Sequence, residues 1–451
     1  LEQIAHDNHL LVIADRNLAL FDEVSRRKDF GGGFSFTPRM VQRHQLLFSI
    51  MMWRYRNRSR TFLFRWMRLA NWGMVRTGAG TIPFVASFSK WLLAGLRNRD
   101  AVLPPLLGNR FVFPFSSALI KSRLAINSEL RDLVVSHKPD LIVFPSAAFE
   151  AAGIDAIRVG KKLGIPTLSL IDNWDNLTSK TVYWIKPDHI GVWGEQAREQ
   201  AVSIHRFDQP QVHLMGTPRF EQYFAARALK PETKGQKPYM LFVGSAMPFD
   251  ELGALHALET HLAREKIAPQ DLRILYRPHP WQQKRKTPTL YRSEDFLYTD
   301  LDPQIAAAYA SGVKPETTDR SFQPDLSYYP NLLRNARIVV GPLTTMLFEA
   351  VLCLRPVVAL AYSDGFHYTT TRRYFSHFDG LEEVPGFAFC EDSAQLGNLV
   401  HRALGAHELS ALESDQASRY FLYHNELPYP ERLGRLVESL AGPTKERTEG
   451  V

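Results

Sequence analysis

A histidine between two prolines, a pair of threonines at the expected start of a helix and an acid-rich turn stand out in this 451-residue chain as groups able to do chemistry. The strand-like run Arg273–Tyr276 leads into Arg277-Pro278-His279-Pro280. The prolines fix the backbone and keep His279 out of a helix. An imidazole at a strand end can donate to a phosphate oxygen or act as an acid on a departing phosphate. Arg277 adds a charged donor. A rigid turn with an incidental surface histidine is the plain alternative.

Gly341-Pro342-Leu343-Thr344-Thr345 follows a strand-like Arg337–Val340 and opens a helical stretch over Thr345–Leu354. Thr344 and Thr345 occupy N-cap positions. Gly341 lets the backbone approach a ligand, and free N–H groups at a helix start attract anions. Glu349 lies one turn further along and is expected to reach ribose hydroxyls or a base. An ordinary Thr-capped turn is the alternative. Gly216-Thr217-Pro218-Arg219-Phe220 ends another strand, with Arg219 expected toward an interdomain crevice, or else as part of a simple turn.

The fourth group is Asp172-Asn173-Trp174-Asp175-Asn176-Leu177-Thr178-Ser179-Lys180, at the end of the buried-type strand Thr167–Ile171. Its carboxylates could deprotonate an acceptor hydroxyl or attack an anomeric carbon. Asn173 and Lys180 are candidate ligands beside them. An Asx-turn capping the next element is the alternative. Glu150 is a further candidate acid or base, Gly244 and Ser245 are candidate nucleotide contacts, and Asp250 and Glu251 are expected to enter the same cleft.

These groups need strand ends to hold them. Candidate strands are His9–Ala14, Phe111–Pro114, Leu141–Pro145, Thr167–Ile171, His189–Trp193 and Val212–Met215. After a polar linker over Leu229–Lys237 come Tyr239–Val243, Arg273–Tyr276, Phe296–Tyr298, Arg337–Val340, Val357–Ala361 and Phe387–Phe389. Helical patterns such as Ala151–Leu163 fall between them. Alternating strands and helices predict parallel α/β sheets covered on both faces. Two Rossmann-like domains are expected, 1–228 and 229–442, facing across a cleft, with a tail over 443–451. Ligands bind at the carboxyl ends of strands in such sheets.

The net charge of +7 is uneven. No Asp or Glu lies between Asp29 and Asp100, whereas residues 30–99 hold twelve lysines and arginines. Outside that stretch 42 basic residues face 47 acidic ones. Trp53, Tyr55, Phe62, Trp66 and Trp72 mix with the arginines, so 39–76 is expected to lie on a membrane surface or meet a lipid-linked acceptor. A packed subdomain with a solvated basic face is the alternative. No nucleic-acid motif accompanies the segment, so nucleic acid is not an expected partner. The two cysteines, Cys353 and Cys390, are too few for a disulfide scaffold and fit a reducing cytoplasm. No apolar run reaches the ~18 residues a spanning helix needs.

Together, His279-Pro280, Thr344-Thr345 and Gly216-Thr217-Pro218-Arg219-Phe220-Glu221 resemble motifs of GT-B-fold bacterial glycosyltransferases that build surface polysaccharides. The likeness covers roughly residues 140–430. It is nearest to enzymes with cytidine-nucleotide donors: capsular and O-antigen Kdo transferases, GT-B sialyltransferases and teichoic-acid glycerophosphotransferases. The "GNPRFD" pattern of such proteins has Thr217 in place of Asn here. Their acidic-acidic-Gly motif is matched by Asp172-Asn173-Trp174-Asp175-Asn176, which lacks the glycine and leaves Asp172 and Asp175 both open as catalytic carboxylate.

The resemblance implies transfer of a sugar, Kdo or a related acidic sugar, from a CMP-activated donor to a lipid-linked or growing surface polysaccharide. The enzyme would sit in the cytoplasm, peripheral on the inner face of the membrane. His279, Arg277, Thr344 and Thr345 would neutralise the departing phosphate. One phosphate leaves with a CMP-sugar, so neither a metal nor another cofactor is required by that chemistry. Inversion and retention stay open. Rival readings are a UDP-sugar transferase or epimerase on the same scaffold, a CDP-glycerol-type phosphotransferase and a non-catalytic membrane-associated scaffold.

Overall fold

A computed structural model describes residues 10–18, 20–62, 99–147, 150–228, 237–247, 249–279, 291–310, 328–365, 372–406 and 409–442. Pro280, residues 229–236 of the expected linker, 63–98 of the basic segment and the tail from 443 lie outside them.

Strands β1 (Val12–Asp15) and β2 (Phe30–Phe34) form a separate parallel pair. β3 (Ile142–Phe144), β4 (Thr167–Leu170), β5 (His189–Val192) and β6 (Val212–Leu214) make a parallel sheet in chain order. The second lobe holds β7 (Tyr239–Val243), β8 (Arg273–Arg277), β9 (Thr299–Leu301), β10 (Val339–Pro342), β11 (Val357–Leu360) and β12 (Phe387–Cys390). Their order is β12-β11-β10-β7-β8-β9, all parallel. This is the Rossmann order, with the direction of winding reversing between β7 and β10. β10 and β11 are buried at every position, as strands covered on both faces must be. The fold is therefore α/β with Rossmann-like lobes, as the GT-B resemblance implies.

The lobes share one apolar core. Trp174, Trp193 and Phe220 from the first lobe cluster with Val243, Leu347 and Phe348 from the second. The chain then returns to the first lobe. Helix Tyr429–Ala441, expected in the second domain, lays Tyr429 and Leu433 against Leu168 and Met215 of the first sheet.

Three local expectations change. Phe111–Pro114 reads as a strand but forms a turn leading into helix Phe113–Ser122, where Pro114 sits in the first turn, a position proline suits. Phe296–Tyr298 precedes the strand rather than forming it. The carboxylate of Glu259 accepts from the N–H of Leu297 (3.1 Å) and Tyr298 (2.8 Å), so the ladder starts at Thr299.

The third change concerns the basic segment. Thr37 caps helix Pro38–Arg54 by accepting from the Met40 N–H, and Pro38 opens it. Its apolar face, expected among acyl chains, is inside the protein. Leu47, Met51 and Met52 pack with Phe62, Leu124, Val182 and Ile204. The interleaved aromatics serve as local platforms for cations, with Arg56 4.4 Å from the Trp53 ring and Arg58 3.9 Å from the Tyr55 ring. Over 39–62 the packed-subdomain alternative holds. No helix among the described residues is long and apolar enough to cross a membrane.

Candidate active site at the lobe junction

The second lobe gathers its candidates at the reversal point of the sheet. Ser245, just past β7, is buried, and its hydroxyl donates across that point to the Leu343 carbonyl oxygen (3.0 Å). Its backbone N–H donates to Glu251 (3.1 Å), whose other carboxylate oxygen accepts from the Tyr276 hydroxyl (2.7 Å). Ser245 and Glu251 thus position the loop rather than face a ligand. Asp250 does likewise, accepting from the Gly253 N–H (3.0 Å) at a helix start.

Gly244 explains how His279 is set. Its N–H donates to the Arg277 carbonyl oxygen (2.8 Å). A Cβ on Gly244 would lie 2.7 Å from the His279 backbone nitrogen and 2.7 Å from a Glu251 carboxylate oxygen. Only glycine allows the ends of β7 and β8 to meet this closely. Gly341 is similar, since a Cβ there would collide with the Val243 carbonyl oxygen. Its role is packing of β10 on β7.

Past β10, Thr344 is the N-cap of helix Thr345–Leu352 by backbone position, yet its side chain makes no capping hydrogen bond. Thr344 and Thr345 are half-buried, as is His279. An uncapped helix start with two hydroxyls is suited to an anion. Arg277 differs from expectation. It is buried, donates to the Tyr329 hydroxyl (2.8 Å) and stacks 4.9 Å from that ring, so it faces into its own lobe.

In the first lobe, the acid-rich turn splits into an inner and an outer half. Trp174 and Leu177 enter the core, while Asp172 stays exposed. Asn173 donates to Asp172 (2.7 Å), and Asn176 donates to its other oxygen. Residues Asn176–Lys180 form one π-helical turn, a geometry common at functional sites. Asp175 is clamped by Lys180 (2.8 Å) and the Ser179 hydroxyl (2.8 Å). Burial pushes its carboxyl up, but Lys180, His377 and Ser179 together outweigh that and hold it below the usual carboxylate range. Glu150 is exposed as a residue, yet burial of its carboxyl raises its pKa, and the neighbouring Asp172 charge adds to the rise. Ser146 and Lys180 act the other way.

Two motif residues serve the junction instead of a ligand. Glu349 is buried, with one oxygen paired to Arg219 (2.6 Å) and the other accepting from Tyr223 (2.6 Å). Both of its oxygens are engaged across the junction, and the side chain is buried there. Arg219 does lie between the lobes, but as the partner of Glu349. Gly216 adopts a left-handed φ of 69° against the Tyr423 backbone, where a side chain would collide. The segment around Phe421–Tyr423 covers the ends of β5 and β6, since Tyr423 N–H donates to the Trp193 carbonyl oxygen (2.6 Å).

His377 carries a role that sequence reasoning missed. It belongs to the second lobe but packs on Trp174 (5.4 Å between ring centroids) and lies within electrostatic range of Asp175. Burial pushes its pKa down to about 4, against the attraction of Asp175. Its flanking Tyr374-Phe375-Ser376-Phe378 gave only an apolar, core-like signal. Among the described residues no three His, Cys, Asp or Glu side chains converge as metal ligands. Cys353 and Cys390 are free and buried.

No family model matches the chain. No curated protein matches it either. Solved structures do. UDP-GlcNAc 2-epimerase of Methanocaldococcus jannaschii, in complex with UDP-GlcNAc and UDP, is similar at 14% identity and a TM-score of 0.42, over 68% of this chain and 78% of that one. The glycotransferase of kitacinnamycin is similar at 11% identity and a TM-score of 0.42, over 72% and 83%. The wall teichoic acid polymerase TagF soaked with CDPG is similar at 13% identity and a TM-score of 0.37, over 67% and 72%.

Proposed function

We propose that this protein is a glycosyltransferase that takes a sugar from a nucleotide donor and passes it to a glycan acceptor. The observation that carries the reading is the reversal point itself. His279, Thr344, Thr345 and an uncapped helix start follow the carboxyl ends of β8 and β10, beside the β7–β10 reversal point, where a Rossmann sheet takes its nucleotide. The donor is read as CMP-linked, Kdo or a related acidic sugar, on the motif resemblance alone. The acceptor is read as lipid-linked surface polysaccharide, met at the inner face of the membrane.

The chemistry is a direct displacement. An acceptor hydroxyl oxygen bonds to the anomeric carbon as the bond from that carbon to the phosphate oxygen breaks. The electron pair leaves on the phosphate, where His279 and the helix N–H groups stabilise it, a contribution of several kcal/mol in a closed site. Glu150 takes the hydroxyl proton. Its raised pKa makes it a stronger base than Asp175, whose charge is held by Lys180. Asp172 stands beside Glu150 and supports its basicity.

Titrating the protein with CMP, CDP and UDP while following thermal unfolding tests the reading. A nucleotide at 100 times its Kd adds about 2.7 kcal/mol. CMP is expected to raise the midpoint most. A response to UDP alone would make the donor uridine-linked, and no response to any nucleotide would favour the scaffold reading.

A further inference from the structure

Helix Phe113–Ser122 is built inside out. Its inward positions are Phe113, Ser116, Ser117 and Ile120, at helical spacing, and the two serines are buried. Ser116 donates to the Leu107 carbonyl oxygen (2.7 Å), so a hydroxyl occupies a place usual for an aliphatic group. The large apolar groups point outward instead. Phe111, in the turn before the helix, is 69% exposed, and Phe115 (78%) and Leu119 (53%) follow at successive four-residue steps. Leu106 (54%) and Val112 (43%) extend the same exposure. A solvated helix gains nothing from this arrangement, and contiguous exposed apolar surface marks a contact.

The charges on and beside this helix name the partner: Arg110, Lys121 and Arg123 lie on it or at its ends, and in sequence Asp100 is the one acidic residue between Asp29 and Glu129. Arg110 and Arg123 are exposed at the two ends of the patch. The Arg110 guanidinium rests 4.5 Å from the Phe111 ring, and Arg43 donates to the Arg123 carbonyl oxygen (2.8 Å). Exposed aromatic and aliphatic side chains on a helix flanked by Arg110 and Arg123, with no acidic residue in 106–123, are complementary to the headgroup region of an anionic bilayer.

We infer that the outward face of Phe113–Ser122, with the turn before it, docks on an anionic lipid surface. This moves the membrane contact from helix Pro38–Arg54, whose apolar face is internal, to the neighbouring helix. It does not depend on the donor chemistry, because binding is read without nucleotide. The test is flotation with phosphatidylglycerol–phosphatidylcholine vesicles and with phosphatidylcholine alone, for the wild-type chain and for Phe111→Ser/Phe115→Ser/Leu119→Ser. The wild type is expected to bind the anionic vesicles and to release in high salt. The triple variant should lose on the order of 100-fold in partitioning while its melting temperature and its nucleotide response stay unchanged. Equal binding by variant and wild type, or no wild-type binding, would overturn the inference. So would a lower melting temperature in the variant, which would show the patch covered within the chain. A wild-type dimer that the variant abolishes would assign the face to a second copy and overturn it equally.

Discussion

The Trp174 ring lies 5.3 Å from that of Phe348, centroid to centroid. Trp174 is the centre of the acid-rich turn, and Phe348 stands one turn below Thr344 and Thr345 on their helix. One aromatic contact therefore ties the candidate base region of the first lobe to the candidate anion site of the second. The rings of Phe378 (5.1 Å), His377 (5.4 Å) and Phe421 (5.9 Å) also pack on Trp174. The junction is held by packing, with the Arg219–Glu349 pair beside it.

Removing Trp174 should accordingly destabilise the protein more than removing the ion pair. Trp174→Ala leaves a buried void and is expected to cost about 3–5 kcal/mol. Arg219→Met strands the Glu349 carboxylate. Because the arginine side chain is 42% exposed, water tempers the loss, and about 2 kcal/mol is expected. Chemical denaturation of both variants checks the ranking.

His279→Ala should lower turnover by about 100-fold or more with the melting temperature intact. Gly244→Ala should give a comparable loss through displacement of the His279 backbone. Turnover near wild type in His279→Ala would remove the histidine from the chemistry.

Glu150 must be ionised to accept a proton, so activity should fall as pH drops through its raised pKa. Asp172→Asn removes a charge that holds this pKa up. The acid limb of kcat should then move to lower pH. Lys180→Met removes an opposing charge and should move it the other way, and Glu150→Gln should abolish the limb along with most of the turnover. These pH–rate profiles separate Glu150 from Asp172 and Asp175 as base.

Acid should also loosen the junction. His377 is buried neutral, with its pKa lowered from 6.5 to about 4. Between those values the unfolded chain binds the proton and the folded one does not, so stability falls as pH falls. The loss is on the order of 3 kcal/mol by pH 4. His205, buried with a pKa of about 4, adds in the same direction. His377→Phe, among rings already aromatic, should show a shallower decline of Tm over this range.

Much of this architecture was legible because parallel strands buried on both faces are continuous apolar runs. Tyr239–Val243 and helix Ala151–Leu163 appear at the residues expected. β2 was not legible, because the three consecutive glycines of Phe30-Gly31-Gly32-Gly33-Phe34 are depleted in strands and mask its pattern. Its glycines leave room for Leu11, Leu133 and Phe21 across the strand. The positions of Gly244, His279, Thr344 and Asp172 at strand ends followed from local pattern. What the Arg277, Glu349 and Ser245 side chains donate to or accept from across the fold did not, since Tyr329, Arg219, Tyr223 and Leu343 come from distant stretches of chain. A buried carboxylate with an arginine and a tyrosine on it reads, in sequence, like any polar residue on a helix near a ligand. His377 was missed for the same reason: only the folded junction brings it to Trp174.

The most direct measurement is a crystal structure of the protein soaked with CMP. The nucleotide should lie at the β7–β10 reversal point, its phosphate on His279, Thr344 and Thr345, and its sugar-bearing side toward Glu150 and Asp172. A nucleotide seated elsewhere, or a soaked crystal whose crevice holds none while His279 faces away from the first lobe, would contradict the account.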